Sequence, residues 1–283
     1  MTATTNSAKS ATSRNGHPHA SPAVTPKVTQ TRVLRSEWTK IRSVRSTVWA
    51  MVAMAAALIG GAAFAAVGIV VRDSPPAATA LAIDPSGGTL SGTGLAQLAV
   101  IVFGVVAVTG EYRTRMIRSS VAAVPARLPL VWGKAAVVAA LAAVASLAAL
   151  LLSFLVASIV VATEGLSISL ITPGVARAMI GAALALGVTG ALATGFGWLL
   201  RNTAAAVFLL LAVFYVVPTL ATLLPQPVGE RVVPFLPSNA VAALTQVAPI
   251  EGALPPGAGL AVYAGYAVIT LLAAALVLQR RDA

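Results

Sequence analysis

Apolar residues make up 58% of the 283 residues and charged residues only 10%, with a mean hydropathy of +0.90. A water-soluble domain carries about 25% charged residues to cover its surface, so the chain reads as an all-α integral membrane protein. The net charge of +11 would suit nucleic acid if it were gathered on one folded face. The basic residues instead sit between apolar runs, as positive-inside loops do, and nucleic acid is set aside as a partner.

Residues 1–29 are Ser, Thr, Ala, Pro and Asn with scattered charge, too poor in large apolar groups to fold alone, and are expected to form a disordered cytoplasmic tail. His17 and His19 lie in it without the further ligands a metal requires. The remainder, 30–283, is expected to form one six-span transmembrane domain. Gln30 to Thr47 reads as an amphipathic interfacial helix: Leu34, Trp38, Ile41, Val44 and Val48 recur at intervals of three and four, with Arg32, Arg35, Lys40 and Arg42 off that stripe. A helix of this kind lies along the lipid bilayer surface.

Spans are expected at about 48–71, 94–110, 135–162, 175–200, 204–224 and 259–278, each long enough to cross a hydrocarbon core. Pro/Gly/Ser-rich residues separate the first two, and a polar stretch from Glu111 to Trp132 separates the second and third. Arg201-Asn202-Thr203 is a tight turn between the fourth and fifth, and Pro218 is expected to kink the fifth. Small residues recur every four positions at Ala53, Ala57, Gly61 and Ala65, and at Gly187, Ala191 and Gly195. These permit close helix packing in lipid. Eight basic residues precede the first span, five lie between the second and third, one is Arg201, and two close the chain, so 16 of 19 fall on one side. That bias predicts cytoplasmic termini in a multi-pass protein of the cell membrane.

The missing chemistry narrows the function. No span carries Asp, Glu, Lys or His near its middle, where a proton-coupled carrier places its carboxylate; sodium coupling, which can use hydroxyls and carbonyls alone, is disfavoured and not excluded. Intramembrane proteolysis lacks its histidine or paired aspartates, and no Gly-x-x-x-x-Gly-Lys-Ser/Thr loop exists to hold a nucleotide. The chain is therefore not expected to be an enzyme, to bind a metal or to bind a cofactor, and any energy for transport must come from another protein. Thr189, Thr194, Ser146 and Ser153 are the few polar candidates for lining a path, although such hydroxyls often bond their own backbone. The basic segment after the second span, with apolar Met116 and Ile117 among arginines, suits docking into a groove of a soluble partner.

Four segments carry a family resemblance: Ser36-Glu37-Trp38-Thr39-Lys40-Ile41-Arg42-Ser43-Val44-Arg45-Ser46-Thr47; Val108-Thr109-Gly110-Glu111-Tyr112-Arg113-Thr114 with Met116-Ile117-Arg118; Leu236-Pro237-Ser238-Asn239; and Arg280-Arg281-Asp282-Ala283. In order and spacing the chain resembles the permease subunits of ABC-2 type ABC exporters, particularly actinobacterial ones. The resemblance implies a separate ABC ATPase subunit that binds ATP and Mg, and a second permease half, expected to be an identical copy. It implies an interfacial connecting helix holding Glu37, Trp38, Lys40, Arg42 and Arg45. It also implies a coupling helix from Glu111 to about Val121, in which Glu111, Tyr112, Arg113, Arg115, Met116, Ile117 and Arg118 meet the ATPase. Glu111 would orient that helix by bonding arginines. Ser238 to Val247 would be a short outer helix, and Ser238 or Asn239 is a suitable cap for it. An ion-coupled carrier and a non-transporting scaffold or sensor subunit stand as alternatives.

Overall fold

The computed structural model describes residues 30–71, 88–114, 127–248 and 252–280. The expected tail, most of the expected coupling helix and the last three residues lie outside them. Among the described residues there is no strand, and six helices are long and apolar enough to cross a membrane. The protein is an all-α, multi-pass membrane protein.

Helix α1 (Gln30–Ser43) stops at Val44, and α2 (Arg45–Val71) starts one residue later, so the interfacial helix ends four residues before the expected Thr47. Helices α3 (Thr93–Arg113), α4 (Arg127–Ala162) and α5 (Val175–Leu200) follow. The fifth crossing, α6, covers Thr203–Ala221. Its middle, Ala212–Val216, is a π turn in which the Val217 amide reaches back to the Ala212 carbonyl. This widened turn directly precedes Pro218, whose ring has no N–H to continue the α-helical ladder. A short α7 (Gln226–Val232), a 3-10 turn (Val233–Phe235), α8 (Pro237–Thr245) and α9 (Pro256–Arg280) complete the order.

Helix α5 is the hub. About 72% of its apolar window is buried, against 22% for α2 and for α6, whose remaining surfaces suit lipid. Small residues make this centrality possible. Helices α3 and α5 close at Gly104, where an added Cβ would stand 2.7 Å from both the Ala193 Cβ and the Gly190 carbonyl oxygen. The expected stripes do pack: Gly187 faces Ala139 and Ala143 of α4, Gly195 faces Thr270 of α9, and Gly61 of α2 abuts Gly92. Gly92 also touches Ala57 and Leu58, twelve and thirteen residues into the 27-residue α2. Helix α3 therefore starts about halfway along its neighbour, and the turn at 88–92 lies against the second half of α2.

Helix α8 fills the end of the bundle that α3 leaves open. An added Cβ on Gly181 of α5 would lie 2.2 Å from the Leu244 carbonyl oxygen, and one on Gly259 of α9 would lie 2.9 Å from that of Ala240. Arg177 Nη2 donates to the Gln246 and Val247 carbonyls at 3.0 and 3.1 Å, satisfying the C-terminal end of α8 with a cation. The helix forms where expected, but neither proposed residue caps it: Leu236 is the N-cap, and Asn239 Nδ2 donates to the Val233 carbonyl at 2.6 Å.

Candidate functional site

Glu37 and Lys40 of α1, Glu111 of α3 and Lys134 of α4 converge at the α1 end of the bundle. Glu37 and Lys40 stand one turn apart on α1, with Lys40 Nζ 2.6 Å from Glu37 Oε1. Lys134 Nζ, on α4, reaches Glu37 Oε2 at 2.5 Å and Glu111 Oε1, near the end of α3, at 2.8 Å. Lys40 closes the ring on Glu111 Oε1 at 3.4 Å. Two carboxylates and two ammonium groups make a neutral quartet joining three helices.

Burial sets the ranks within it. The Glu37 and Lys134 side chains are 0% and 1% exposed, Glu111 is 10% exposed, and Lys40 is 30% exposed at the rim. A charge removed from water this completely persists only with close partners. Burial drives the Glu37 carboxyl upward, but the Lys134 charge and the bonds from Lys134 and Lys40 together hold it below its usual value. Burial likewise opposes the Lys40 charge, and the bond and charge of Glu37, with Glu111, more than offset this and raise it. Glu111 Oε2 is buried and has no hydrogen-bond partner among the described residues.

An apolar cavity of about 230 Å³ opens between α1–α2 and α3. Val102, Phe103 and Val106 form its wall, and Lys40, Glu111 and Lys134 form its polar end. Beside the quartet, the Tyr112 ring meets Trp198 edge-on at 5.8 Å and takes the Arg201 guanidinium over its face at 5.1 Å. The expected turn is built as its residues suggest: Arg201 adopts a left-handed cap with φ 52°, and Asn202 Oδ1 accepts from the Ala205 amide at 3.1 Å to start α6. The Thr109 and Thr203 hydroxyls, 2.7 Å apart, tie α3 to that turn.

Of the expected interfacial residues, Glu37 and Lys40 enter the quartet. Trp38 is exposed, and so is Arg45 at the start of α2; the Arg42 side chain lies outside the described residues. The inward face of α1 thus centres on Glu37 and Ile41 rather than on the tryptophan. Glu111, Tyr112 and Arg113 continue α3 without a break instead of opening a separate helix. Glu111 bonds two lysines where arginines were expected. Arg115, Met116, Ile117 and Arg118 lie outside the described residues. Sequence reasoning passed over Lys134 as one more inner-side base. Its signal was position, since it is a lone cation two turns inside an apolar helix that begins at Arg127.

The four hydroxyl candidates divide. Ser146, Ser153 and Thr194 donate to the carbonyls of Ala143, Ala149 and Gly190 in their own helices. Thr189 donates to Ala185 and also meets Tyr263 of α9 and Gln97 of α3. The sequence matches no protein-family model and no curated protein.

Proposed function

We propose that this chain is the membrane-spanning permease subunit of an ATP-driven exporter of the ABC-2 type, paired with a second permease half and driven by a separate ATPase. The observation that supports this most is the buried quartet. Residues 115–126 connect α3 to α4, and each of those helices contributes a quartet member close to the connection, Glu111 on one side and Lys134 on the other. Breaking a buried ion pair by losing one partner costs about 3–5 kcal/mol. A force applied to the connecting segment would therefore move α1, α3 and α4 together instead of bending one helix. A subunit without a nucleotide site of its own needs such a linkage to take up work done by a partner.

In this reading the quartet faces the cytoplasm, where the positive-inside bias places 16 of the 19 basic residues. Arg113, Arg115 and Arg118 meet the ATPase electrostatically, and Met116 and Ile117 supply the apolar contact. Closure of the ATPase draws the connecting segment sideways, the quartet passes the motion to α1, and the two permease halves separate along their shared path. The test replaces Met116 and Ile117 with Asp in the tagged chain. Co-purification of an ATP-hydrolysing subunit should fall while membrane insertion persists; unchanged co-purification would remove the assignment.

A further inference from the structure

A second cavity, of about 180 Å³, lies where α3, α5 and α8 meet, and its chemistry differs from that of the lipid-facing grooves. Its inner wall is polar. Gln97 and Thr189, 7% and 1% exposed, line it, and the fully buried Tyr263 meets Thr189 behind that wall, so the three side chains join three helices. Thr189 Oγ1 is 2.8 Å from the Ala185 carbonyl and 2.7 Å from Tyr263 Oη, and Gln97 Nε2 is 3.4 Å from the same Oγ1. A hydroxyl has one proton to give. Thr189 gives it to Ala185, so the tyrosine hydroxyl donates to Thr189 and the Gln97 amide approaches as a second donor. Gln97 also bonds the Tyr263 side chain, and a carboxamide with two N–H donors and an acceptor oxygen keeps capacity beyond these contacts.

Across the cavity lies Ser238 of α8, whose hydroxyl oxygen is buried and has no hydrogen-bond partner among the described residues. The first turn of α3 opens on the same space through Thr93 and Gly94, and its N-cap, Gly92, offers no side-chain cap. Buried polar groups are normally satisfied, and those that are not call for an explanation. Among the described residues no charged side chain lines this cavity. Its walls are also fixed, because Gly181 and Gly259 seat α8 by direct backbone contact.

We infer that this cavity is a binding site for an uncharged hydrogen-bonding group, such as an amide or ketone carbonyl, borne by an amphiphilic molecule. Gln97 and Ser238 donate to the ligand's oxygen, Thr189 and Tyr263 hold Gln97 in place, and Ala182, Leu186 and Val241 take the adjoining apolar part. Permanent charge is rejected, since nothing in the cavity would offset its desolvation. This binding assignment stands apart from ATPase coupling. Only the further step, that the bound molecule is the cargo, rests on the exporter reading.

The chain has no cysteine, so a single Ala242→Cys at the exposed rim reports occupancy through its alkylation rate by N-ethylmaleimide. The protein is held in nanodiscs without any ATPase. Decanamide should slow labelling, while decanesulfonate and decyltrimethylammonium at equal concentration should not. Adding Ser238→Ala, which removes a hydroxyl with no internal bond, or Gln97→Leu should weaken decanamide protection about fivefold for one lost hydrogen bond. Equal protection by the charged analogues, or undiminished protection in both variants, would overturn the assignment. A protein that protects as expected yet shows no ATP-dependent transport would keep the site and lose the exporter reading.

Discussion

Replacing Lys134 with Met deletes the more buried of the two cations that touch both carboxylates of the quartet. Methionine matches the lysine stem in length, so little packing volume is lost. Glu37 keeps Lys40 at 2.6 Å, but its Oε2 loses its only close cation, and Glu111 keeps only the 3.4 Å contact to the same Lys40. Removing one partner from a buried ion pair costs about 3–5 kcal/mol, which corresponds to roughly 6–20 °C in unfolding temperature at the scale of large domains, and the surviving Lys40 contacts put the loss toward the lower end. Thermal unfolding followed by intrinsic fluorescence measures this. The Lys134→Met, Glu37→Gln double variant should recover most of the loss, because a neutral pair in place of a buried ion pair is often close to neutral in stability. An unfolding temperature unchanged in the single variant, or a second substitution that lowers it further by its full separate cost, would refute the reasoning.

Lys40→Met should cost clearly less than Lys134→Met, because its side chain is 30% exposed and water screens its ion pairs; the same melts rank the two. Stability should also bracket the quartet in pH. The Glu37 carboxyl is held below its ordinary 4.5, so its contribution is present above that value and is lost as pH falls through the lower, folded-state one. Lys40 is held above 10.5, so its contribution is complete below that value and is lost as pH rises through the higher, folded-state one. Melts across pH should therefore be flat between these limits, and Glu37→Gln should weaken the acid limb. Gly181→Ala places a Cβ 2.2 Å from the Leu244 carbonyl oxygen and should cost about 1–3 kcal/mol as α8 is displaced, whereas Gly60→Ala, with nothing within 4 Å, should not destabilise.

The crossings were legible because an apolar run of about 20 residues has few other uses: the fourth was expected at 175–200 and spans Val175–Leu200. Several boundaries moved to take in charged residues. Arg127 and Lys134 looked like loop, yet lie in α4, because the Lys134 ammonium finds two carboxylates and no longer needs water. The quartet itself was hidden. Its members are separated by as many as 97 positions, and periodicity reports faces of one helix, not pairings between helices. The apolar stripe of α1 pointed to Trp38, but the strongest inward attraction on that helix belongs to Glu37. The π turn ahead of Pro218 shows the same limit: the proline announced a disturbance but not its form, a widened turn that holds Phe214 edge-on to Tyr263 at 6.0 Å.

The exporter reading is tested most directly in proteoliposomes that hold the chain with and without its co-purified ATPase, with uptake of a fluorescent neutral amide followed under ATP or under an imposed cation gradient. The account predicts accumulation only with the ATPase and ATP, insensitive to ionophores and lost in the Met116→Asp, Ile117→Asp variant. Accumulation by the chain alone, driven by the cation gradient and abolished by an ionophore, would contradict it.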